Sequence, residues 1–435
     1  MANIDEVPTT SVKAYDYFLK ARAILQSEGG FHNPPIISQA VELLESAIIE
    51  DQNFLQAWVQ LVKAYSNLFQ TSDDSLKKQL LNKAQNALAR AKAINTHDPW
   101  TRFAACYYQY RVERDYPAAL KELTGGGALP RLAEFVQMEA LISRRTGFMD
   151  RALKLNQEAL ELDSGNVALW REQSENLFAM RRFKESAQAT MRASFLEPQD
   201  LGYPTKGFES EFLDRADVSL VNRFEDQDSE EKTWWLHFLE HRKLGYRALE
   251  LRGDSEKLKS YAASPTTPVD TDSLFLVFAL LAENEAQLAR TWAERILMEL
   301  EKEPSQSRVF YFYKTTFPAV IHHLLGEPEK GKAILEQVRE TIEEEKDAMD
   351  SASYRPYLIL SLQYMDPDEA AEMMIQELEE PISFLSLDAI AAFHWSFRNL
   401  IIHRRIQPLI VAHENGKWLD YLSERVPEYA KYKKQ

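Results

Sequence analysis

The chain has 435 residues, 67 of them acidic and 51 basic, and a formal charge of −16 at pH 7. Such a length ordinarily divides into about two or three domains, and an acidic surface disfavours sequence-independent binding to nucleic acid or anionic membranes. A single cysteine, Cys106, excludes an intramolecular disulfide and a cysteine-rich metal site.

Residues 1–20 show no secretion signal, since they lack an apolar stretch flanked by basic residues. The most apolar run, residues 274–282, is far shorter than the roughly 20 residues that a membrane span requires. We therefore expect a cytoplasmic protein without membrane insertion; a mature or truncated periplasmic form would show the same sequence features.

The first fifty residues predict two helices after a polar lead, residues 1–11. The first helix begins near Ser11, and apolar residues within 15–22 recur at helical spacing. Glycines and prolines between 29 and 35 break it, and a second helix follows over 37–50.

The next segment predicts another helix pair. Trp58, Leu61 and Tyr65 share one face of its first helix, and an insertion over residues 70–77 displaces its second helix, which carries Ala84. A third pair is predicted from Pro99 onward. It ends at three glycines, 125–127, which lack the Gly-Lys-Ser/Thr of a phosphate-binding loop.

Residues 133–166 and 167–200 form two consecutive blocks of 34 residues, each with the pattern helix, polar turn, helix, break. When the blocks are aligned, Ala152 falls on Ser186 and Ala159 on Ala193. Such small residues allow two antiparallel helices to approach to roughly 8–10 Å.

These features resemble the tetratricopeptide repeat family, whose repeats have this length and a Trp-x2-Leu-Gly-x2-Tyr pattern in the first helix. Trp58, Leu61 and Tyr65 match that pattern, with Val62 in place of glycine. The resemblance implies an all-α superhelical solenoid of antiparallel helix pairs over residues 12–200, without cofactor or catalysis.

The remainder of the chain divides into two predicted regions. Residues 201–270 form a junction with a helical segment, because prolines and glycines interrupt the periodicity there. Residues 271–435 predict diverged helical repeats, with units near 272–302, 308–347, 353–378 and 383–432.

In this family the first helices line a concave groove that holds a peptide or a partner helix. Transferring that register implies the following partner contacts: Lys63, Asn67, Tyr107, Tyr110, Arg111, Leu141, Arg144, Arg145 and Arg171. Arginines beside aromatic residues suit a partner with carboxylates and apolar groups. Alternatively, several of these side chains pack between repeats or face solvent, or Lys63, Asn67 and Arg145 clamp a terminal carboxylate.

A competing interpretation is enzymatic. His237, Glu240 and His241 match the H-x-x-E-H pattern of a zinc peptidase, which places both imidazoles on one helical face. A further acidic ligand is not evident, and the flanking Trp234 and Trp235 favour ordinary packing. Three other histidines, at 394, 403 and 413, are expected at the core edge or on the surface.

The opening, Pro8-Thr9-Thr10 followed by Ala14-Tyr15-x2-Phe18-Leu19-x2-Arg22, is similar to the start of repeat domains in bacterial signalling proteins. Those domains follow a winged-helix or nucleotide-cyclase module, which this chain lacks. The sequence thus predicts a non-enzymatic scaffold or adaptor and, by this resemblance, the sensing part of a signalling system. Small-ligand sensing and self-assembly remain alternatives, and the partner's identity and the oligomeric state are open.

Overall fold

The computed structural model describes residues 8–26, 33–72, 74–127, 129–198, 202–217, 254–264, 269, 273–302 and 308–432, and within these ranges it is all-α with no β-strand. The chain divides into two compact units. Unit 1 is Met1–Leu169 with Gln306–Arg308, and unit 2 is Trp170–Ser305 with Val309–Gln435. The division of the chain into regions 12–200, 201–270 and 271–435 remains a prediction.

Unit 1 is a stack of helix pairs. Its helices are α1 (Val12–Gln26), α2 (Pro34–Glu50), α3 (Leu55–Thr71), α4 (Asp74–Asn95), α5 (Pro99–Tyr108) with a π-helical turn (Gln109–Glu113), α6 (Tyr116–Thr124), α7 (Ala133–Arg145) and α8 (Met149–Leu162). Each odd-numbered helix packs against the even-numbered helix that follows it, and α2 contacts α3, α3 contacts α5 and α6 contacts α7. Stacking of successive pairs is the packing of a repeat solenoid, as the sequence predicts.

The helix crossings of unit 1 carry the predicted small residues. Ala84, Ala152 and Ala159 are fully buried. The predicted insertion at 70–77 is not a long loop, because α3 continues to Thr71 and α4 begins at Asp74. Leucines at 76, 80 and 81 recur at helical spacing, so the extra residues lengthen α4 instead.

Val167–Ala179 forms α9, and unit 2 continues with a longer series of helices. These are α10 (Phe183–Leu196), α11 (Gly202–Arg215), α12 (Ser255–Ala263), α13 (Ser273–Ala282), α14 (Ala286–Lys302), α15 (Arg308–Leu324), α16 (Pro328–Glu344), α17 (Ala348–Met365), α18 (Pro367–Glu379), α19 (Leu387–Ala392), α20 (Arg398–Ile401), α21 (Gln407–Ala412) and α22 (Leu419–Arg425). Short 3₁₀ turns at His413–Asn415 and Pro427–Tyr432 follow α21 and α22.

Helix pairing also occurs within unit 2, where α10 packs on α11, α13 on α14 and α17 on α18. Ser186, which replaces an expected alanine on α10, is fully buried, and its hydroxyl donates to the Ser174 carbonyl at 3.0 Å. The turn at Gly326 separates α15 from α16. At Gly331 a Cβ would lie 2.5 Å from the Ala319 carbonyl oxygen, so glycine permits this close crossing.

The last predicted unit, 383–432, consists of short helices rather than one long pair. Side-chain contacts hold them together around Asp388, which is almost fully buried at the start of α19. Its Oδ1 accepts hydrogen bonds from Trp418 Nε1 at 2.8 Å, from His413 Nε2 at 3.0 Å and from Lys417 Nζ at 2.9 Å.

The His413–Asp388 contact predicts a pH-dependent stability. The hydrogen bond to Asp388 raises the pKa of His413 above its ordinary value. Protonated His413 therefore stabilises the folded state. This contribution is fully present below the pKa of the unfolded state and is lost as the pH rises through the pKa of the folded state. We expect His413→Gln to remove part of the decrease in the free energy of unfolding as the pH rises above about 6.5, the ordinary histidine pKa.

Urea titrations at a series of pH values, followed by tryptophan fluorescence, measure this decrease. The control is His97→Gln, at an exposed histidine of unit 1. Equal pH dependence in His413→Gln and in the wild type would contradict the prediction.

Candidate partner-binding surface

The predicted contacts of unit 1 lie on α3, on α5 with its π-helical turn, and on α7, which belong to three successive helix pairs. Local sequence fixes the start of α5. Asp98 caps it by accepting a hydrogen bond from the Trp100 N–H at 2.8 Å, and Pro99 occupies the first helical position, where no N–H is needed.

Lys63 lies over two aromatic rings. Its Nζ is 5.4 Å from the centroid of Phe103 and 5.8 Å from that of Tyr107. The Tyr107 hydroxyl donates to Asn67 Oδ1 at 2.7 Å, which joins α5 to α3. Half-buried Lys63 therefore holds its ammonium group on a fixed aromatic platform, a contact worth roughly 0.5–1 kcal/mol at exposed sites.

Arg111 and Gln70 each donate a hydrogen bond to the other. Arg111 Nη1 donates to Gln70 Oε1 at 2.6 Å, and Gln70 Nε2 donates to the Arg111 carbonyl at 2.7 Å. The π-helical turn carries Arg111 and ends at Arg114 in the left-handed region, with φ of 55°. Such turns are frequent at functional sites.

Arg145 of α7 continues the row. Its Nε donates to the Tyr110 hydroxyl at 3.3 Å, and the Tyr110 ring lies 5.5 Å from that of Tyr116. Leu141, one turn earlier on α7, is half-buried against the same aromatic cluster. The cationic group of Arg145 is thus held beside an apolar surface.

The predicted residues fall into two groups by exposure. Lys63, Arg111, Leu141 and Arg145 are half-buried and reach the surface. Four others are almost inaccessible, with exposed fractions of 5% for Asn67, 4% for Tyr107, 5% for Tyr110 and 8% for Arg144. These four support the surface from beneath, and the burial of Asn67 argues against a carboxylate clamp.

We call Lys63, Gln70, Arg111, Leu141 and Arg145 the inner surface. Sequence reasoning missed Gln70, which was assigned to the insertion. A signal was present, because positions 63, 67 and 70 follow at intervals of four and three residues and share one helical face. Arg171, the remaining predicted contact, is half-buried in unit 2.

Two groups near this surface, Cys106 and Tyr108, are unsuited to act as nucleophiles. Burial raises the pKa of the Cys106 thiol, so the thiolate that would react is suppressed. Burial and a hydrogen bond to Glu113 raise the pKa of Tyr108 to about 12, so its phenol stays neutral near pH 7.

The structure leaves the proposed zinc motif untested, since His237, Glu240 and His241 lie outside the described residues. In the described part of the chain, no group of three or more His, Cys, Asp or Glu is arranged to hold a metal ion. The helices within the same ranges include none with the length and apolarity to cross a membrane.

Comparisons with known proteins add little support for the repeat fold beyond the structure itself. No family model and no curated protein matches the chain. Among solved structures 11 chains match, including the crystal structure of the P58(IPK) TPR domain. That structure is 12% identical, covers 97% of this chain and 99% of its own, and has a TM-score of 0.21. The all-α repeat fold therefore rests on the helix pairs of the chain itself.

Proposed function

We propose that the chain is a non-catalytic interaction scaffold whose inner surface binds a peptide or a helix of a partner protein. The observation that carries this proposal is the Lys63 ammonium group on the rings of Phe103 and Tyr107, in a row with Arg111 and Arg145. The row crosses three successive helix pairs, which suits an extended or helical segment rather than a compact small molecule.

The side chains of the row define the chemistry of the partner. Lys63 and Arg145 offer positive charge within a chain of net charge −16, so carboxylates on the partner are favoured here. Leu141 and the edges of the buried aromatic rings favour an apolar group between those carboxylates. We propose an acidic segment with an apolar anchor.

The similarity of the opening residues to repeat domains of bacterial signalling proteins extends the proposal. The partner would then be a component of a signalling system, with this chain as its sensing part. Arg171 stays a proposed contact of the same kind. Salt should weaken such binding, because part of it comes from charge attraction at an exposed surface.

The proposal predicts loss of partner binding on replacing Lys63, Arg111 and Arg145 together with alanine. The buried residues beneath are left in place, so helical content measured by circular dichroism should stay at the wild-type value. A matched control replaces Lys121, Arg151 and Lys154, which are exposed on α6 and α8 and remove the same charge.

Affinity capture from lysate of the source organism compares wild type, the inner-surface variant and the control. The proposal expects one partner to be retained by wild type and control and lost by the inner-surface variant. Photo-crosslinking with an apolar benzophenone side chain at position 141 and at position 154 then locates the contact and leaves Lys63, Arg111 and Arg145 in place. A partner held equally by all three proteins would overturn the proposed surface, and crosslinking only at 154 would do the same.

A further inference from the structure

Unit 2 contains a polar cavity of about 450 Å³ that is remote in sequence from the inner surface. Four segments line it: the start of α12 at Ser255, the turn between α13 and α14 at 282–284, residues 394–398, and the end of α22 at 424–427. The volume lies within the roughly 300–1,000 Å³ typical of small-molecule sites.

The wall of the cavity includes the imidazole of His394, which is only 1% exposed. The prediction that His394 lies at the core edge or on the surface is therefore wrong. Burial, with the charges of Arg425 and Arg398, lowers the pKa of His394 to about 3, so the ring is neutral near pH 7.

Neighbouring contacts decide which ring nitrogen carries the proton. The Tyr421 hydroxyl donates to the Ala392 carbonyl at 3.1 Å, so it can accept from His394 Nδ1, which lies 3.3 Å away. Nδ1 therefore holds the proton and Nε2 is an acceptor. Nε2 is buried and has no hydrogen-bond partner among the residues that the structure describes. A buried acceptor without a partner is destabilising, and a donor from a ligand would offset that cost.

Charges of both signs line the same cavity. Arg398 and Arg425 are positive, and Glu283 and Glu424 are negative. Among the residues that the structure describes, the Arg398 side chain donates one hydrogen bond, from Nη2 to Glu428 Oε2 at 2.6 Å, and a guanidinium carries five N–H groups. Glu283 accepts from Trp395 Nε1 at 2.6 Å, which fixes its carboxylate at the rim.

We propose that this cavity binds a small zwitterion, specifically an α-amino acid, with its carboxylate on Arg398 and its ammonium group between His394 Nε2 and Glu283. A simple organic acid would satisfy Arg398 but would face Glu283 and Glu424, and a simple amine would face Arg398 and Arg425. A molecule with both charges a few bonds apart matches both signs of charge in the lining. This inference is independent of the proposed partner binding by unit 1.

The test adds each proteinogenic L-amino acid separately, at millimolar concentration, to the full chain. Thermal unfolding detects stabilisation, and nitrogen NMR of histidine-labelled protein follows the His394 Nε2 resonance. We expect at least one amino acid to raise the midpoint and to shift that resonance. If no amino acid does either, the proposal is overturned.

Matched probes and variants then test the assignment. Arg398→Gln should weaken the binding amino acid at least about tenfold, because it removes the charge partner of the carboxylate. Arg404→Gln removes an exposed arginine of unit 2 that also pairs with a carboxylate, and it should leave binding unchanged. Equal affinity in Arg398→Gln and wild type overturns the assignment. So does equal affinity for the corresponding 2-hydroxy acid or decarboxylated amine, because the site would then recognise only one charge.

Discussion

Replacing Arg355 with methionine is expected to lower the free energy of unfolding of unit 2 by about 3–5 kcal/mol. Arg355 on α17 forms a buried ion pair with Glu377 on α18. Its Nε donates to Glu377 Oε2 at 2.5 Å and its Nη2 to Oε1 at 3.3 Å, and the Glu377 side chain is only 2% exposed. Methionine would leave the carboxylate buried without its charge partner, which is the costly case.

Hydrogen exchange of backbone amides, read by mass spectrometry on peptides of α17 and α18, measures the loss without assuming that the two units unfold together. The double variant Arg355→Met with Glu377→Leu should recover much of the protection, because it removes both charges. Arg339→Met is the control: Arg339 pairs with Glu336 and Glu369 at a more exposed position, so about 1 kcal/mol or less is expected. Equal losses in Arg355→Met and Arg339→Met would contradict the argument.

The helix pairs of unit 1 were predictable because their determinants are local. Apolar residues at a period of 3.6, breaking residues between helices and small residues at crossings all lie within one repeat. Ala152 and Ala159 illustrate this, since both are fully buried where the aligned blocks place them. The sequence did not indicate that the insertion before α4 lengthens that helix, because a longer helix and a loop satisfy the same repeat spacing.

The short helices near the C-terminus were not predictable in the same way. Their positions depend on contacts between residues far apart in sequence, such as Trp418 Nε1 with Asp388 and the Tyr429 hydroxyl with the Ile401 carbonyl at 2.6 Å. Periodicity carries no information on such pairs. It indicated helix to the end of the chain but not where α19 to α22 begin.

The inner surface shows the same limit at the level of side chains. The repeat register predicts which residues of α3, α5 and α7 lie on the inner face. It does not predict which of their side chains are exposed to solvent. Tyr107 is buried because its hydroxyl meets Asn67, 40 residues earlier in the chain. His394 is buried because Tyr421, 27 residues later, packs against it.

Arg181 is the second residue whose replacement should have a large effect, and its role is equally non-local. It lies in the short turn between α9 and α10, where the sequence indicates only a polar connection. Its guanidinium donates to four backbone carbonyls 196 to 204 residues later in the chain, those of Glu377 at 2.6 Å, Glu380 at 2.9 Å, Leu385 at 3.1 Å and Leu378 at 3.4 Å. Beside it, the Ser383 amide donates to the Ala179 carbonyl at 2.9 Å.

We expect Arg181→Gly to lower the free energy of unfolding of unit 2 by about 3 kcal/mol. Each hydrogen bond from a charged donor contributes roughly 1.5–3 kcal/mol, and bonds that share one side chain do not add fully. Because Arg181 has a φ of 59°, a conformation that glycine adopts without cost, Arg181→Gly also relieves backbone strain, and the 3 kcal/mol is the net loss. Arg181→Ala should be less stable still, by roughly 1 kcal/mol, because alanine is strained there.

Amide exchange at Ser383 gives the most direct measurement, since its hydrogen bond to Ala179 depends on the turn that Arg181 holds. Protection of this amide should fall in Arg181→Gly and stay at the wild-type level in Arg182→Gly, whose guanidinium donates to the carboxylate of nearby Glu185. Unchanged Ser383 protection in Arg181→Gly would show that the apolar core alone holds α9 and α10 against the end of α18. A specific loss would show instead that one arginine side chain, bonded to backbone rather than to a charged partner, fixes this packing within unit 2.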